Sequence, residues 1–575
     1  MRTRAGLVII CLAGAVRAGN IQLPGLTLPS SAASNAALVK STFLTAYNDY
    51  KTYAWGHDDL EPISLSWTEG RQVNGWGATI FDAMDTLFVM GETELFAEAV
   101  EFASNVDFSY SHTVGDHPSF FETTIRYLGG MLSAYELNGY QDASLLANAQ
   151  RLADKLIFAW VPANGPIPFV PYNNIASAGS NVLEFYTLSR LTGNTTYQTI
   201  AEKGMAAIAN NPSPPFPGLA PQGVFASGAP DGNVVSWDGG SDSYFEYLIK
   251  YDKMTANANP LWGNTWAAAV DSSIKQLLKQ TSVATGQRTY LTTASGTSNS
   301  FSMGDLTCFA GGNWILGGKL LDNDTIVNFG LNITDSCTNT YNTPTGMGGG
   351  AFAFVTADGQ GTPPSNPVEE AEFNSFGFYN TDNSWYMRPE SAVYAWRTTG
   401  DLKYQTWAEG VLQSIIKYAK APVGFTSLND VTNTDLSTDN LGDNVESFLY
   451  AEVFKYLYLM FDDPNHISFD TWVFNTECTP ILSFFSCMRL MPTHKGHPLA
   501  MGQNIPAPKP AKPSPLPIPG TGSQTATGTG VKESASQKIA TGTRVGNPAS
   551  VTGSAQEIPT PLVTVQKPPT TTTAT

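Results

Sequence analysis

The chain has 575 residues, of which 42% are hydrophobic, enough to bury a large globular core. Lysine and arginine number 31 against 49 acidic residues, which gives a net charge of −18 at pH 7. Because phosphate binding needs concentrated positive charge, this balance argues against a nucleic-acid partner.

The N-terminus has the pattern of a signal peptide. Arg2 and Arg4 precede an apolar run over residues 5–16, and small residues precede a predicted cleavage after Ala18. This run is too short to span a bilayer, and no later run reaches the required length. The sequence therefore predicts a signal peptide over 1–18 and a secreted or lumenal mature chain without a membrane span. An uncleaved N-terminal anchor is the alternative.

The cysteine count fits an oxidising compartment. Cys11 belongs to the predicted signal peptide, which leaves an even set of four. Four cysteines allow three pairings, and the short separations favour Cys308 with Cys337 and Cys478 with Cys487. Three Asn-x-Thr triplets are weak signals of N-glycosylation, at Asn194, Asn323 and Asn332.

Between residues 35 and 490 the sequence has a helical pattern, and several helices end in the same way. An apolar helix is followed by a glycine suited to the left-handed C′ position, and then by a polar residue before the next helix. These glycines are Gly91, Gly139, Gly193 and Gly400. The first three lie about fifty residues apart, the period of a repeated helical hairpin. Roughly six or seven hairpins would either close into a toroid or stack as an open solenoid.

Two long Gly/Pro/Asn-rich segments, 210–243 and 340–367, exceed ordinary connections. A closed barrel would use such loops over one mouth to build a pocket, whereas an open solenoid would leave them unexplained. The sequence therefore predicts an all-α barrel domain over residues 35–490. A Pro/Thr/Ser/Gly-rich tail over 503–575 follows, which cannot bury a core and is expected to be disordered.

Acidic residues beside aromatic ones are the candidates for chemistry. Several familiar motifs are absent from the sequence, including H-E-x-x-H, G-x-S-x-G, the P-loop and C-x-x-C. Glycoside hydrolysis needs one protonated carboxyl for the leaving oxygen and one carboxylate to activate water, while aromatic rings pack against the sugar. Acids in such settings also occur as helix caps and buried ion pairs. The candidates are Glu122, Asp242, Glu390, Glu446 and Glu452.

Six ordered motifs resemble those of class I α-mannosidases, glycoside hydrolase family 47. They are Phe120-Phe-Glu-Thr-Thr-Ile-Arg126-Tyr-Leu-Gly-Gly130, Asp242-Ser-Tyr-Phe-Glu-Tyr247, Leu306-Thr-Cys308-Phe, Arg388-Pro-Glu390, Glu446-Ser-Phe and Phe474-Asn-Thr476-Glu477. The segments that begin at Tyr53 and Gly75 are similar to the opening helices of that family. The resemblance covers roughly residues 38–480, and the motifs are specific jointly rather than singly.

The resemblance implies an (αα)₇ barrel that removes α-1,2-linked mannose from high-mannose N-glycans with inversion. Glu122 is implied to protonate the leaving oxygen through a water, and Glu390 to be the base. Asp242 is implied to be a third essential acid, for which the base role has also been argued. Thr476 is implied to bind Ca²⁺ through its hydroxyl and carbonyl oxygens, ligands that a hard cation prefers.

The same resemblance places Arg126, Arg388 and Glu446 against the substrate, and it pairs Cys308 with Cys337. The protein is expected to act on high-mannose N-glycans or glycoproteins and to be a monomer. Gly240 stands where endoplasmic-reticulum members that stop after one mannose carry Arg, which fits the less restrictive fungal secreted or Golgi-type members.

Each candidate also has a structural interpretation. Glu122 could pair with Arg126 on a solvated helix face, since an i,i+4 pair stabilises a helix by a few tenths of a kcal/mol. Asp242 could be a helix N-cap, and Arg388-Pro-Glu390 could simply begin a helix with Pro near N1. Thr476 could be an exposed turn residue.

The sequence departs from the family near the predicted site. The chain runs from Glu390 directly to Ser391 without a second glutamate, and Asp305 replaces a histidine. Gly349-Gly350 replaces Pro-Glu, and Cys478-Thr replaces Ala-His. Because a displacement of about 1 Å can cost a hundredfold in rate, a glycan-binding homologue with little turnover is the second hypothesis. A different helical-barrel glycosidase without calcium dependence is the third.

Overall fold

The computed structural model describes residues 20–483 except 71–73, 113–117, 162, 170–173, 212–213, 284–285 and 386–389, and of residues 282, 283, 390 and 391 it describes the backbone alone. Helices dominate this part of the chain. In order, the α-helices are α1 (Ala32–Tyr53), α2 (Ala78–Val89), α3 (Thr93–Asn105), α4 (Phe120–Glu122), α5 (Gly129–Leu137), α6 (Ala143–Leu156), α7 (Ile175–Gly179), α8 (Val182–Thr192), α9 (Thr196–Ala209), α10 (Asp242–Met254), α11 (Leu261–Gln276), α12 (Phe309–Leu320), α13 (Asp324–Asn339), α14 (Pro367–Phe376), α15 (Glu390–Thr399), α16 (Lys403–Tyr418) and α17 (Phe454–Phe461).

Two π-helical segments interrupt this order. Thr123–Leu128 joins α4 to α5, so that residues 120–137 form one continuous but irregular helix, and Leu449–Val453 leads into α17. Short 3₁₀ turns occupy Ile157–Ala159, Asp305–Cys308 and Thr438–Asn440. π-helical turns are rare and are frequently found at functional sites.

Seven helices form a closed inner ring. α2, α5, α8, α10, α12, α15 and α17 each pack against the next, and α17 packs against α2. Each inner helix also packs against an outer one: α3, α6, α9, α11, α13 and α16 follow their inner partners, and α1 covers α17. This is an (αα)₇ barrel. The predicted toroid is confirmed, and the open-solenoid alternative is wrong.

The burial of each helix follows its place in the ring. α2 buries every residue except Phe88, as expected for a helix with neighbours on all sides. The outer helix α6 is amphipathic and buries one stripe, which includes Leu145, Leu152 and Leu156. The four glycines predicted to end helices all have left-handed φ, at +77° for Gly91, +65° for Gly139, +75° for Gly193 and +72° for Gly400. That prediction is confirmed.

The strands are short and antiparallel, and they lie in the connections. They are β1 (Asp59–Glu61), β2 (Ser66–Thr68), β3 (Gly223–Val224), β4 (Pro230–Asp231), β5 (Val234–Val235), β6 (Leu278–Val283), β7 (Gly286–Leu291), β8 (Thr293–Ser295), β9 (Ser298–Ser300), β10 (Ser302–Gly304), β11 (Ala351–Ala353), β12 (Tyr379–Asp382), β13 (Trp472–Phe474) and β14 (Pro480–Leu482). The six-residue pairing of β6 with β7 was not predicted from the sequence.

The β13–β14 hairpin positions the site. Trp472 pairs with Leu482 and Phe474 with Pro480, so a tight turn joins the two strands. β14 packs on α5 and β13 packs on α10, both of which belong to the inner ring. The hairpin therefore fills the inside of the ring, and the residues of its turn face several inner helices at once.

One disulfide joins Cys308, at the start of α12, to Cys337 in α13, as the family resemblance implied. Cys478 is buried in the hairpin turn, but Cys487 lies outside the described residues, so their pairing stays a prediction. The predicted signal peptide and tail also lie outside them. Among the helices that the structure describes, none is both long enough and apolar enough to cross a membrane.

Candidate active site

Glu122 and Arg126 form the predicted pair, but they do not lie on a solvated face. Ser119 Oγ caps the helix by accepting a hydrogen bond from Glu122 N at 3.2 Å. Arg126 Nε donates to Glu122 Oε2 at 2.8 Å, and each side chain is only 12% exposed. The pair therefore lies in a largely desolvated environment, where it is not an ordinary surface contact.

Arg126 is the centre of a larger cluster. Its Nη1 donates to Asp82 Oδ2 at 2.9 Å, to Ser447 Oγ at 3.2 Å and to Glu477 Oε1. Ser447 Oγ also donates to Asp82 Oδ2. We call Asp82, Glu122, Arg126, Ser447 and Glu477 the Arg126 cluster. Three carboxylates share one guanidinium, so with all of them ionised the cluster has excess negative charge, which favours a proton or another cation.

Burial also makes it costly to keep these carboxyl groups ionised. Burial raises the pKa of Glu477 well above its ordinary value; the Arg126 charge opposes the rise, while Asp82, Glu452 and Glu122 add to it. Glu452, which the sequence analysis left undecided, is therefore close enough to the cluster to act on it. Within the described part of the chain, Asp82 Oδ1 is buried without a hydrogen-bond partner.

Glu446 lies beside the cluster on the side of β1. Asp59 in β1 has a pKa raised well above its ordinary value by burial first and by the Glu446 charge next, and Arg126 opposes the rise. Asp59 is thus within electrostatic reach of both Glu446 and Arg126. The structure therefore places Glu446 near Asp59, and its role in binding substrate stays a prediction.

The turn between β13 and β14 is organised by Asn475. Asn475 Oδ1 accepts hydrogen bonds from Glu477 N and Thr479 N, both at 2.9 Å. Its Nδ2 donates to Ile125 O at 3.0 Å, in the π-helical segment, and to Glu184 Oε1 at 2.8 Å. One buried amide therefore ties the turn to the helix that carries Glu122 and Arg126.

Thr476 has the free oxygens that a calcium ligand requires. Its N–H donates to Tyr247 Oη at 3.3 Å, but no hydrogen bond from the described residues reaches its hydroxyl or carbonyl oxygen. The described residues contain no group of three or more His, Cys, Asp or Glu side chains arranged to hold a metal. Ca²⁺ also accepts neutral oxygens, and the adjacent Arg126 cluster has excess negative charge, so these residues fit the ion.

Glu184 is a buried acid that forms no ion pair with a cationic side chain of the described residues. It accepts from Tyr247 Oη at 2.6 Å as well as from Asn475, and its Oε2 has no hydrogen-bond partner among the described residues. Burial raises its pKa to about 7, although both hydrogen bonds oppose the rise. Tyr247 links this carboxyl to Thr476.

Asp242 begins α10, but it is not the N-cap. The N-cap is Ser241, whose side chain makes no capping hydrogen bond, and Asp242 Oδ1 accepts from the neighbouring Ser243 N at 2.8 Å. Tyr247 lies roughly 7.5 Å further along the axis of the same helix, so α10 connects Asp242 with the Thr476 turn. Glu390 is the first residue of α15, but its side chain and all of Arg388 are outside the described residues. Their roles stay predictions.

The sequence analysis missed several members of the site. Asp82 and Glu184 are single acids within otherwise buried helical stretches, "TIFDAM" and "NVLEFY", and that contrast was the available signal. Glu477 stands in the quoted motif next to Thr476, but no role was predicted for it. Ser447 stands in the Glu446-Ser-Phe motif, but no role was predicted for it.

Two of the departures from the family lie together. Asp305 N donates to Gly350 O at 3.0 Å. At Gly349 a Cβ atom would lie 2.6 Å from Asp382 O and 2.8 Å from Asn380 Oδ1, so the backbone approaches β12 too closely for a side chain. The replacements at 305, 349 and 350 therefore lie in one region of the structure.

A closed ring of seven inner helices, each covered by an outer helix, around buried acids that meet at Arg126 is the architecture of a helical-barrel enzyme. The sequence profile of Glycosyl hydrolase family 47 matches residues 42–483. The chain belongs to this family, and it is a glycoside hydrolase.

Curated and solved relatives agree with this assignment. The chain is 36% identical over 495 residues to a mannosyl-oligosaccharide α-1,2-mannosidase 1B of Aspergillus oryzae, which covers 79% of this chain and 92% of that protein. It is 35% identical over 487 residues to the protein of the same name from Aspergillus phoenicis, with 78% and 91% covered. The structure is similar to that of the α-1,2-mannosidase from Trichoderma reesei, with a TM-score of 0.73, 35% identity, and 78% of this chain and 99% of that chain covered.

Proposed function

We propose that the protein is an exo-acting mannosyl-oligosaccharide 1,2-α-mannosidase. It trims α-1,2-linked mannose from high-mannose N-glycans with inversion and depends on Ca²⁺. The observation that carries this proposal is the placement of Glu122 in the Arg126 cluster, inside a barrel similar to that of the Trichoderma enzyme. Relatives that are named as mannosidases favour turnover over glycan binding alone.

Glu122 is proposed to be the general acid. Arg126 donates to its Oε2, and no described residue donates to its Oε1. Oε1 is therefore available to hold the proton that passes, through a bridging water, to the leaving oxygen, whose bond to the sugar breaks. In inverting glycosidases the base lies across the sugar, with the two carboxyl groups about 6.5–9.5 Å apart, so that a water fits between them. Glu390 and Asp242 are the proposed base and third acid. Arg126, Arg388 and Glu446 are proposed to contact the sugar.

Thr476 would hold Ca²⁺ through its hydroxyl and carbonyl oxygens. The bound ion would orient vicinal sugar hydroxyls and offset part of the excess negative charge of the Arg126 cluster. Tyr247 and Asn475 hold the turn in place before any ion binds, since both contact it through hydrogen bonds of 2.8 to 3.3 Å.

We further propose a barrel domain over residues 35–490, a cleaved signal peptide over 1–18 and a disordered tail over 503–575. The mature protein would act as a monomer, secreted or in the lumen of the secretory pathway. Its partners would be high-mannose glycans or glycoproteins.

The test is mannose release from a high-mannose N-glycan by the purified chain, with and without EDTA and beside Glu122→Gln. We expect EDTA to abolish release, and Glu122→Gln to lower it by about 10²- to 10⁴-fold because the general acid is lost. Glu94→Gln, an exposed acid on α3, is the control and should match the wild type. A folded wild type that binds glycan without release would support the glycan-binding homologue, and release unaffected by EDTA would support the calcium-independent glycosidase.

A further inference from the structure

A fully buried ion pair lies behind the hairpin turn. Lys455 Nζ on α17 and Asp85 Oδ1 on α2 are 2.7 Å apart, and both side chains are 0% exposed. Removing two charges from water is costly, and their attraction offsets the cost only when the geometry is good and further hydrogen bonds satisfy both groups. The other hydrogen bonds of Lys455 and Asp85 therefore indicate which part of the structure the pair stabilises.

Those hydrogen bonds go to the backbone of the turn. Lys455 Nζ donates to Cys478 O at 2.8 Å. Ser133 Oγ on α5 lies 3.2 Å from Asp85 Oδ2 and 2.9 Å from Pro480 O. Lys455 on α17 and Ser133 on α5 thus hold two carbonyl groups of one short segment, and both contact Asp85 on α2.

That segment has a strained backbone. Cys478 adopts φ of +57°, a left-handed conformation that costs a residue with a side chain of order 1 kcal/mol and persists only where its surroundings enforce it. Cys478 follows Thr476 by two residues, and Cys478 N donates to Asn475 O at 3.1 Å. A change in the conformation at 478 would therefore turn the Thr476 carbonyl and hydroxyl in new directions.

We propose that Lys455, supported by Asp85 and Ser133, is a positioning residue that holds the 475–480 turn and thereby sets the affinity of the Thr476 site for Ca²⁺. The inference rests on the proposed calcium dependence. Lys455 is fully buried, and it would act through its hydrogen bond to the carbonyl of Cys478.

The test uses the full chain stripped with EDTA and titrated with CaCl₂ by calorimetry. The variant is the double substitution Asp85→Asn with Lys455→Met, which removes the pair without leaving a buried charge unpaired. We expect the Kd for Ca²⁺ to rise by about 10- to 100-fold, the range for lost outer-shell support of a metal ligand. Without calcium, the amides of Glu477 and Thr479 should exchange with deuterium faster than in the wild type, because their bonds to Asn475 loosen.

The matched control is Glu136→Gln with Arg190→Met. Glu136 is also buried, pairs with Arg190 across two inner helices, and accepts from Leu482 N at 2.9 Å at the far end of the same hairpin. The Kd of this control should stay within about twofold of the wild type, since one lost contact at a distance from the turn adds nearly independently. Ser133→Ala, a milder change that is expected to fold, should raise the Kd by about two- to tenfold through one lost hydrogen bond.

The outcomes are distinct. An unchanged Kd in the double variant and in Ser133→Ala, with lower thermal stability, would make the pair purely structural and overturn the inference. An equal rise in the control would indicate general loosening of the hairpin and would also overturn it. A wild type that binds no Ca²⁺ would contradict the proposed function first and this inference with it, before any variant is considered.

Discussion

Asp82 and Asp85 lie about one helical turn apart on α2, both with fully buried side chains, yet they belong to different electrostatic environments. Asp85 has one lysine for its one charge, with Ser133 on its second oxygen. Asp82 shares one arginine with Glu122 and Glu477, and its Oδ1 has no hydrogen-bond partner among the described residues.

The contrast separates buried charge that is balanced from buried charge that is in excess. The Lys455–Asp85 pair is balanced, and its further hydrogen bonds go to Cys478 O and Ser133 Oγ. The Arg126 cluster, and Glu184 beside it, have more acids than cations, and such an arrangement is expected where a proton or a metal ion takes part in function. Helix α2 contributes to both because Asp82 and Asp85, three residues apart, lie on the same face of the helix.

The largest loss of stability should come from removing one partner of the balanced Lys455–Asp85 pair. Lys455→Met leaves Asp85 buried and uncompensated, which should lower the free energy of unfolding by about 3–5 kcal/mol in urea titrations. The double variant with Asp85→Asn should recover much of that loss. If the single and double variants were equally destabilised, the pair would owe its contribution to side-chain packing rather than to charge.

The stability of the protein should depend on pH through Glu184, a buried acid that forms no ion pair with a cationic side chain of the described residues. Burial raises the pKa of Glu184 in the folded state to about 7, from 4.5 when unfolded. The folded state therefore binds more protons than the unfolded state between these values. Protonation of Glu184 therefore contributes to the free energy of unfolding. This contribution is fully present below pH 4.5 and is lost as pH rises through 7, which lowers the free energy of unfolding by up to about 3 kcal/mol.

Urea unfolding at pH 5 and pH 8, in the presence of EDTA, would measure how the free energy of unfolding depends on pH. The stability of the wild type minus that of Glu184→Gln should decrease as pH rises, because Gln cannot ionise. A difference that is constant with pH would mean that Glu184 has a counter-charge and belongs with the balanced groups.

The close contact between the 475–480 turn and the helix that carries Glu122 and Arg126 should be sensitive to one added methyl group. At Gly129 a Cβ atom would lie 2.6 Å from Asn475 Nδ2 and 3.2 Å from Thr479 Oγ1. Gly129→Ala should therefore destabilise the fold by about 1–3 kcal/mol and reduce mannose release.

Gly410 on α16 is the matched control, since nothing lies within 4 Å of its Cβ position. Gly410→Ala should stabilise the protein by about 0.5–1 kcal/mol, because alanine loses less backbone entropy in a helix. The melting temperatures of the two variants test this prediction: that of Gly129→Ala should fall and that of Gly410→Ala should rise. Equal changes in melting temperature would mean that the turn moves to accommodate the added methyl group.

The smallest change in stability should come from an ion pair that is balanced but exposed to solvent. Lys275 and Asp271 on α11 lie 2.5 Å apart, with side chains 63% and 62% exposed. Lys275→Ala should change the free energy of unfolding by less than about 0.5 kcal/mol, because solvent and salt screen the pair. A loss comparable to that of Lys455→Met would contradict the view that burial makes charge balance matter.

The sequence predicted the barrel well because its evidence is local. Gly91, Gly139, Gly193 and Gly400 each end a helix through a backbone conformation that glycine adopts most easily, and that preference can be read one helix at a time. The strands β6 and β7 escaped prediction because a short pairing in a long connection leaves little periodicity. For the site, Glu122 and Arg126 were recognisable because they share one helix.

What the sequence determined by itself was the repeat of helical hairpins, the acidic residue types in aromatic settings and the motifs that resemble one family. The tertiary structure alone decided which acids meet. Asp82, Glu184, Ser447 and Glu477 come from four separate segments, and only closure of the ring around the β13–β14 hairpin brings them to Arg126 and Thr476. Charge balance is a property of such three-dimensional neighbourhoods: Coulomb energies depend on distance and burial, which the order of residues does not specify.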